Sequence, residues 1–523
     1  MFSIVKKQSA SLALLIVPLV VSIVGYFFLK AAFPLHSGSA GYDQDPAYAY
    51  LFNGLLILDG QAPHHIDHPG TPLQIIFAVV IVLRWQFSKV FGTEPQSLID
   101  AVIGQPEIYL YDVAILLFTL NLWALFFFGR RIYQASHKVW VSMFCQLSLL
   151  SFTLLTPKAA YPAPEALLIF VSLCLLGLVA PRIFNQAEDA RDTQNKLARR
   201  VGLLVGLGLA VKVTFAPFVL LLFLLEQRQR RHALGWVAIS FLVLTAVALP
   251  QAGRFFSWLS NIVSHSGIHG SGQASVLNLS SIPINALNLW TWFPFFCAAL
   301  IFSIAILVFL SLNKSRIQTR AAWLLIAIAL FQLLLILKHP GAHYMVPVLP
   351  IAFVLMAWLY MNVRMPSQWL KLTGGFITLL FVGHSIALTV RGVQKLTVQR
   401  TEMTIAMSDI NEALAQNPDA IVICSFRCAL PQYALSMALT YAPGLISDKT
   451  TATLRNFYDF DIFVSQLLSP GRKALSSRDI VTMVRDGHKV ILVSPHLYPE
   501  LQAFKTQAWL KHKSQSAYII LEQ

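Results

Sequence analysis

Long apolar runs separated by short polar connections fill the chain up to about residue 390. A helix that crosses a hydrocarbon core of about 30 Å needs roughly 17–25 mostly apolar residues. Runs of that order lie near 12–29, 108–128, 139–156, 233–250, 287–311, 321–337, 345–361 and 373–390, and a shorter run, 165–180, is read as a further crossing. Two runs are interrupted by charge. Residues 73–91 carry Arg84 and Lys89, which suits a helix lying along the outer surface. Residues 201–225 are broken at Lys212 and Pro217, which suits a hairpin that dips in and returns. The pattern therefore predicts an α-helical polytopic membrane protein with about nine full spans plus a re-entrant hairpin. The first run follows the Lys6–Lys7 pair without an Ala-x-Ala cleavage site, so it reads as a retained helix rather than a signal peptide.

Beyond Arg391 the periodicity changes. Strand-length apolar runs at 420–424, 490–493 and 517–521 alternate with helical patterns at 430–439 and 477–486. That alternation predicts a small C-terminal α/β domain. The expected division is 1–391 for the membrane domain and 392–523 for the α/β domain, with 30–107 forming a first outer loop that contains juxtamembrane helices.

Composition agrees with the pattern. The chain of 523 residues is 56% hydrophobic and 12% charged, whereas soluble domains carry about 25% charged residues. A net charge of +15 could point to nucleic acid, but the basic residues sit in short blocks between apolar runs rather than on a soluble face. The membrane, not nucleic acid, is the expected partner. Five cysteines, three of them (Cys145, Cys174, Cys297) inside apolar runs, exclude a disulfide framework. Cys424 and Cys428, in the polar tail, are close enough in sequence to pair or to remain structural.

The basic blocks also orient the chain, because cytoplasmic connections retain Lys and Arg. Lys6–Lys7, Arg130–Arg131, Arg199–Arg200, Arg228–Arg231 and Lys314–Arg320 all fall in one alternating set of connections. The amino terminus is thus expected in the cytoplasm and the tail outside.

Candidate chemistry gathers on the outer side of this topology. Asp43 and Asp45, directly after the first span, suit a general base or oxygen ligands for a divalent metal, or a solvated turn before Pro46. The same loop holds His64, His65, Asp67 and His68; Asp45, His65 and His68 together form a possible metal set, and the histidines equally suit a polar loop that contacts a ligand. Glu107 and Asp112 open one span, Lys158 and Glu165 bracket an outer turn, and Lys338, His343 and Tyr344 lie in another. Ionisable groups at membrane depth are costly and mark function by default. Lys212 stands out, because sidedness does not account for it. At the tip of a re-entrant turn it could bind a phosphate, or it could pair with Asp112 or Glu165 for structure.

The order of short motifs resembles the GT-C superfamily of integral-membrane glycosyltransferases, and in particular the branch with protein O-mannosyltransferases (glycosyltransferase family 39-like) and lipid A aminoarabinose transferases. The carriers are Tyr42-Asp43-Gln44-Asp45, His68-Pro69-Gly70-Thr71-Pro72-Leu73, Phe128-Gly129-Arg130-Arg131-Ile132-Tyr133, Pro164-Glu165-Ala166-Leu167, Gly208 to Thr214, and His343 to Pro350, spread over roughly residues 1–360. The resemblance implies a GT-C fold, about eleven spans in the family's counting, and an inverting transfer of sugar from a polyprenyl-phosphate donor to a hydroxyl of a lipid, glycan or protein acceptor at the periplasmic face of a bacterial inner membrane. It implies Asp43 or Asp45 as the base and Lys212, Lys158, Lys338, His343 and Tyr344 around the donor phosphate, with His65, Asp67, His68 and Glu165 lining the substrate. No cofactor beyond a possible divalent metal ion follows from it.

Departures from the family pattern bear on the phosphate site. Ala160 and Ala163 stand where the family has arginines before the Pro-acid pair, and His343 stands where it has an arginine before the tyrosine. The competing reading from another class is a lipid-linked glycan flippase, which would carry polar groups along its whole path. Here they concentrate on one side.

Overall fold

A computed structural model describes residues 9–33, 44–67, 69–91, 97–184, 191–265, 275, 278–313, 317–338, 340–363, 368–424, 431–446, 448–457, 463–465, 477–493, 509–510 and 518–521. Asp43, His68, Cys428 and the Lys6–Lys7 pair lie outside them, as do the side chains of Asp45 and Cys424. The chain groups into two compact units: Met1–Leu29, Ile66–Leu73 and Ala114–Gly392 form the first, and Lys30–His65, Gln74–Val113 and Val393–Gln523 the second.

The helices preceding the central spans are α1 (Ile16–Ala32), α2 (Gln44–Leu58), α3 (Thr71–Val90), α4 (Leu98–Gly104) and α5 (Pro106–Ser136). The first unit continues with α6 (Val139–Gln146), α7 (Pro164–Ile183), α8 (Arg191–Val211), a 3-10 segment Val213–Leu224, α9 (Gln227–Thr245), α10 (Ala252–Ser264), α11 (Ile282–Trp292), α12 (Pro294–Leu312), α13 (Arg320–Lys338), a 3-10 turn Ala342–Met345 and α14 (Leu349–Asn362). Among the described residues seven helices are long and apolar enough to cross a membrane, and four shorter apolar helices accompany them. α7 is apolar all round and almost wholly buried, which makes it the central helix of its unit.

Several expected spans are broken, each for a local reason. The run 287–311 divides into α11 and α12 at Phe293, because Pro294 lacks the N–H an interior helical position needs and opens a new helix instead. The run 139–156 becomes α6 and two short helices, Ser148–Ser151 and Leu155–Ala159. The run 345–361 gives only the 14-residue α14, opened by Pro350. Residues 73–91, read from Arg84 and Lys89 as lying along the surface, fold as part of the 20-residue α3, which is long and apolar enough to cross.

The hairpin at 201–225 is present. Gly202 of α8 faces Ala233 and Trp236 of α9, while Gly206 faces Val237 and Ser240. Both numbers rise together, so α8 and α9 run parallel. The chain must therefore return between them, and the 3-10 segment does so; Gln229 at the start of α9 hydrogen-bonds Gln194 at the start of α8. A Cβ at Gly202 or Gly206 would fall within 2.5 Å of a facing carbonyl oxygen, so only glycine allows this approach.

In the second unit the long helix α15 (Gln368–Gln416), whose first part belongs to the first unit, leads into a five-stranded sheet. Its strands are β1 (Ile421–Cys424), β2 (Phe463–Ser465), β3 (Val490–Val493), β4 (Trp509–Leu510) and β5 (Tyr518–Leu521), in the order β2-β1-β3-β5-β4. β1 pairs parallel with β2 and β3, and β5 pairs antiparallel with β3 and β4. Helices α16 (Pro431–Thr440), α17 (Asp448–Phe457) and α18 (Ser477–Arg485) connect the strands. Ile423, Val490, Leu492 and Leu521 form a core with Ile480 of α18.

Candidate functional site

Three local features of the sequence place Lys212. α8 stops at Val211, and Lys212 leaves it in an extended conformation (φ −160°, ψ 125°). The returning 3-10 arm carries Pro217, which cannot continue an α-helix. Gly208 lets that arm fold back, since a Cβ there would lie 2.2 Å from the Phe215 ring. The lysine thus sits at the tip of the hairpin with its side chain free of the helical ladder.

α7 supplies the partner. Pro164 opens the helix, and Glu165 in its first turn also meets the positive end of the helix dipole. Lys212 Nζ donates to Glu165 Oε1 at 2.9 Å, and the two side chains are only 4% and 5% exposed. The Tyr344 ring lies under the same ammonium, 4.5 Å from Nζ to centroid. Gln332 Nε2 donates to the Tyr344 carbonyl at 2.7 Å and fixes the turn that presents it. His343 packs on Tyr344 with ring centroids 4.1 Å apart. His343 and Lys158 both act electrostatically on Glu165, and Lys158 also lies 5.4 Å from the Tyr161 ring. Burial, and secondarily the Glu165 charge, pushes the Tyr344 phenol up to about 12, so it stays a neutral O–H donor.

Around one carboxylate, then, the fold gathers two ammonium groups and an imidazole. A buried ion pair survives only when attraction and further contacts offset desolvation, and here Lys158 adds positive charge beyond what Glu165 neutralises. Such a cluster attracts anions, phosphate included.

Five of the residues singled out in the sequence come together here: Lys212, Glu165, Lys158, His343 and Tyr344. Lys338 does not join them. Its Nζ donates to the Val263 carbonyl at 2.7 Å, at an exposed position on α10. Of the two structural partners open to Lys212, Glu165 takes it, and Asp112 instead binds Arg84 at 3.2 Å.

The second unit holds the rest of the described candidates in a hydrogen-bonded lattice. Asn53 of α2, fully buried, accepts from the His64 and His65 amides at 2.6 and 2.9 Å and donates to the Ala49 and Tyr441 carbonyls. The His65 ring is edge-on between Tyr50 and Tyr441, with centroids 5.0 and 4.9 Å away. The His65 carbonyl accepts from Gln74. One turn along α2 from Asp45, Tyr48 donates to Glu107 at 2.6 Å, and buried Arg400, which donates to the Ala32 carbonyl, acts electrostatically on Glu107. Thr453 of α17 donates to Asp100 of α4. Asp67 belongs to the first unit and is half-buried.

Among the described residues no group of three or more His, Cys, Asp or Glu side chains could hold a metal ion. The set proposed from the sequence, Asp45, His65 and His68, has two members whose side chains lie outside the description. Sequence reasoning missed Asn53, Gln332, Tyr48, Tyr441 and Arg400. A signal existed for two of them: Asn53 and Gln332 are amides in otherwise apolar helical runs, and such groups need a buried partner.

Broken apolar helices, seven of them among the described residues long enough to cross a membrane, and a hairpin with a cation cluster at its tip make this a polytopic membrane protein, and its fold is of the GT-C kind. Residues 108–337, which include α7, the hairpin and α13, match the model of Glycosyltransferase family 87. The crystal structure of ArnT from Cupriavidus metallidurans in the apo state matches with a TM-score of 0.50 and 13% identity, covering 97% of each chain. The structure of ArnT from the same organism bound to undecaprenyl phosphate matches with a TM-score of 0.46 and 14% identity over 96% of this chain and 97% of that one. No curated protein matches by sequence.

Proposed function

We propose that the protein transfers a sugar from a polyprenyl-phosphate donor to a hydroxyl of a lipid, glycan or protein acceptor, with inversion, at the periplasmic face of a bacterial inner membrane. The observation that carries this reading is the buried Lys212–Glu165 pair with half-buried Lys158 and His343 beside it, a cluster with two lysines to one carboxylate. A phosphodiester headgroup at the end of an apolar chain is the kind of anion that reaches such a cluster from within the bilayer. The family match and the shared ArnT fold support the same class.

In the proposed step the acceptor oxygen bonds to the anomeric carbon as its proton passes to the carboxylate of Asp43 or Asp45. The bond from that carbon to the phosphate oxygen breaks, and its electron pair leaves with the polyprenyl phosphate. In this reading Lys212 and Lys158 stabilise the growing negative charge on the leaving group, and the Tyr344 phenol and His343 donate to it. Glu165 holds Lys212 in position while the donor is absent. One displacement at the anomeric carbon inverts its configuration. The basic blocks along the connections support an amino terminus in the cytoplasm and a C-terminal segment in the periplasm.

The test is a panel of polyprenyl-phosphate sugars offered to the purified protein, with released polyprenyl phosphate as the readout. Release is expected for at least one donor and is abolished by Asp43→Asn or Asp45→Asn. If no donor is consumed by the folded protein, or lipid is only translocated, the reading fails.

A further inference from the structure

Helix α10 is the part of the first unit that neither the spans nor the cation cluster explain. We infer that it is an interfacial helix whose apolar face is seated in the lipid leaflet, at the membrane face where α13 ends.

Four observations lead there. First, α9 alone has 19 residues, about 28 Å at 1.5 Å per residue, which already matches a hydrocarbon core of about 30 Å. The chain then passes a 3-10 segment, Ala246–Gln251 with Pro250 inside it, before α10 begins. A straight continuation would carry α10 well beyond the bilayer.

Second, the contacts give its level. Arg320, at the start of α13, donates to the Phe223 carbonyl near the end of the returning arm, at the membrane face where α9 starts. At its other end Lys338 donates to the Val263 carbonyl in the last turn of α10. α10 therefore starts past the far end of α9 and finishes at the far end of α13, so both its ends belong to one face of the bilayer.

Third, its residues separate completely around the helix. At 100° per residue Phe255, Phe256, Trp258, Leu259, Ile262 and Val263 fill one arc, and Gly253, Arg254, Ser257, Ser260, Asn261 and Ser264 fill the other. A helix with a sharp apolar face, a polar face and aromatic residues lies in the plane of the interface.

Fourth, the apolar arc is open along one edge, where Phe256 is 64% and Val263 57% exposed, while Phe255, Trp258, Leu259 and Ile262 in the rest of the arc are half-buried. The exposed apolar residues of α9, Ile239, Leu242 and Val243, face outward in the same way, as lipid-facing positions do. Lipid acyl chains thus form the partner, and the polar arc meets the headgroups.

A consequence follows that rests on the proposed transferase reading. Lys338 joins α10 to the segment leading into the turn Ala342–Met345, so the helix sets the depth of His343 and Tyr344 at the level of a lipid phosphate.

The test uses the full chain in nanodiscs of phosphatidylethanolamine and phosphatidylglycerol, with a photoactivatable benzophenone residue replacing Phe256, Ser257, Asn261 or Val263 in turn. Positions 256 and 263 are expected to give at least about fivefold more phospholipid adduct than 257 and 261. Equal labelling of the two faces, or adducts at 256 and 263 that join protein to protein, overturns the assignment. Lys338→Met is expected to raise KM for a polyprenyl-phosphate donor about fivefold, the loss of one charge-assisted hydrogen bond. An unchanged KM with the lipid adducts intact would remove the depth-setting role and leave the lipid partner standing.

Discussion

The two polar clusters of this molecule solve burial in opposite ways. In the first unit Lys212 and Glu165 bury full charges against each other, with Lys158 close by. In the second, Asn53 buries a neutral amide and satisfies two backbone N–H groups and two carbonyls at once. The neutral cluster is closed, since each of these bonds is internal and no anion would improve it. The charged cluster is open in the electrostatic sense, because its positive charge exceeds what Glu165 neutralises. One is built to hold a shape and the other to receive an anion, so removing a member of each should have different remedies.

Glu165→Gln makes the largest break. It leaves the Lys212 ammonium buried with its counter-charge gone, a loss of about 3–5 kcal/mol by comparison with other broken buried pairs. Thermal unfolding in detergent should fall accordingly. An added polyprenyl phosphate should then stabilise the variant by more degrees than it stabilises the native protein, because a ligand that binds only the folded state raises its stability. Equal ligand shifts in the two proteins would refute the idea that Glu165 occupies an anion's place.

Asn53→Leu comes next and should behave differently. It strands the His64 and His65 amides and the Tyr441 carbonyl, at a cost of about 3 kcal/mol. Amide hydrogen exchange at His64 and His65 should accelerate, and no anion should restore it. Asn53→Asp keeps the acceptor for both amides and should cost less. Rescue of Asn53→Leu by polyprenyl phosphate would erase the contrast between the clusters.

The two regions were unequally legible in the sequence. The hairpin could be read because one lysine and one proline interrupt a single apolar run, so the break at Lys212 is local information. Its pairing with Glu165 was one of two options, and choosing between them required knowing that Asp112 meets Arg84. Asn53 stood out as an amide in an apolar helical run, but its partner was illegible: Tyr441 is 388 residues away, and no local period connects them. Likewise, the clustering of Lys30–His65 with the C-terminal residues depends on contacts such as Thr453 with Asp100, between segments whose own patterns are complete. Pro294 could have warned that 287–311 is two helices, but the continuous hydrophobicity outweighed it.

Alkaline pH gives a smaller, sharper probe of the charged cluster. The folded Tyr344 phenol titrates near 12 against an ordinary 10.0. Between these values the unfolded chain loses the proton that the folded chain keeps, so this group's contribution is fully present below pH 10 and is lost as pH rises toward 12. Tyr344→Phe should flatten the stability profile across that window. An unchanged profile would mean that the ring does not sense Glu165 and its buried surroundings.

The smallest effect is expected from Arg84→Met, and its size tests how α3 sits in lipid. Arg84 pairs with Asp112 at 3.2 Å, but its side chain is 39% exposed. Near the same end of α3, Lys89 lies 3.5 Å over the Trp85 ring, an aromatic and basic pairing typical of the membrane–water boundary. At that depth water screens the pair, and its loss should cost less than about 1 kcal/mol in thermal unfolding. A residue held in hydrocarbon would behave otherwise, since Asp112 would be left charged and unpaired there, and the penalty would rise to several kcal/mol. A small measured loss therefore places the Arg84 turn of α3 at the interface, whereas a large one places it inside the bilayer and makes Arg84–Asp112 a second buried ion pair comparable to Lys212–Glu165.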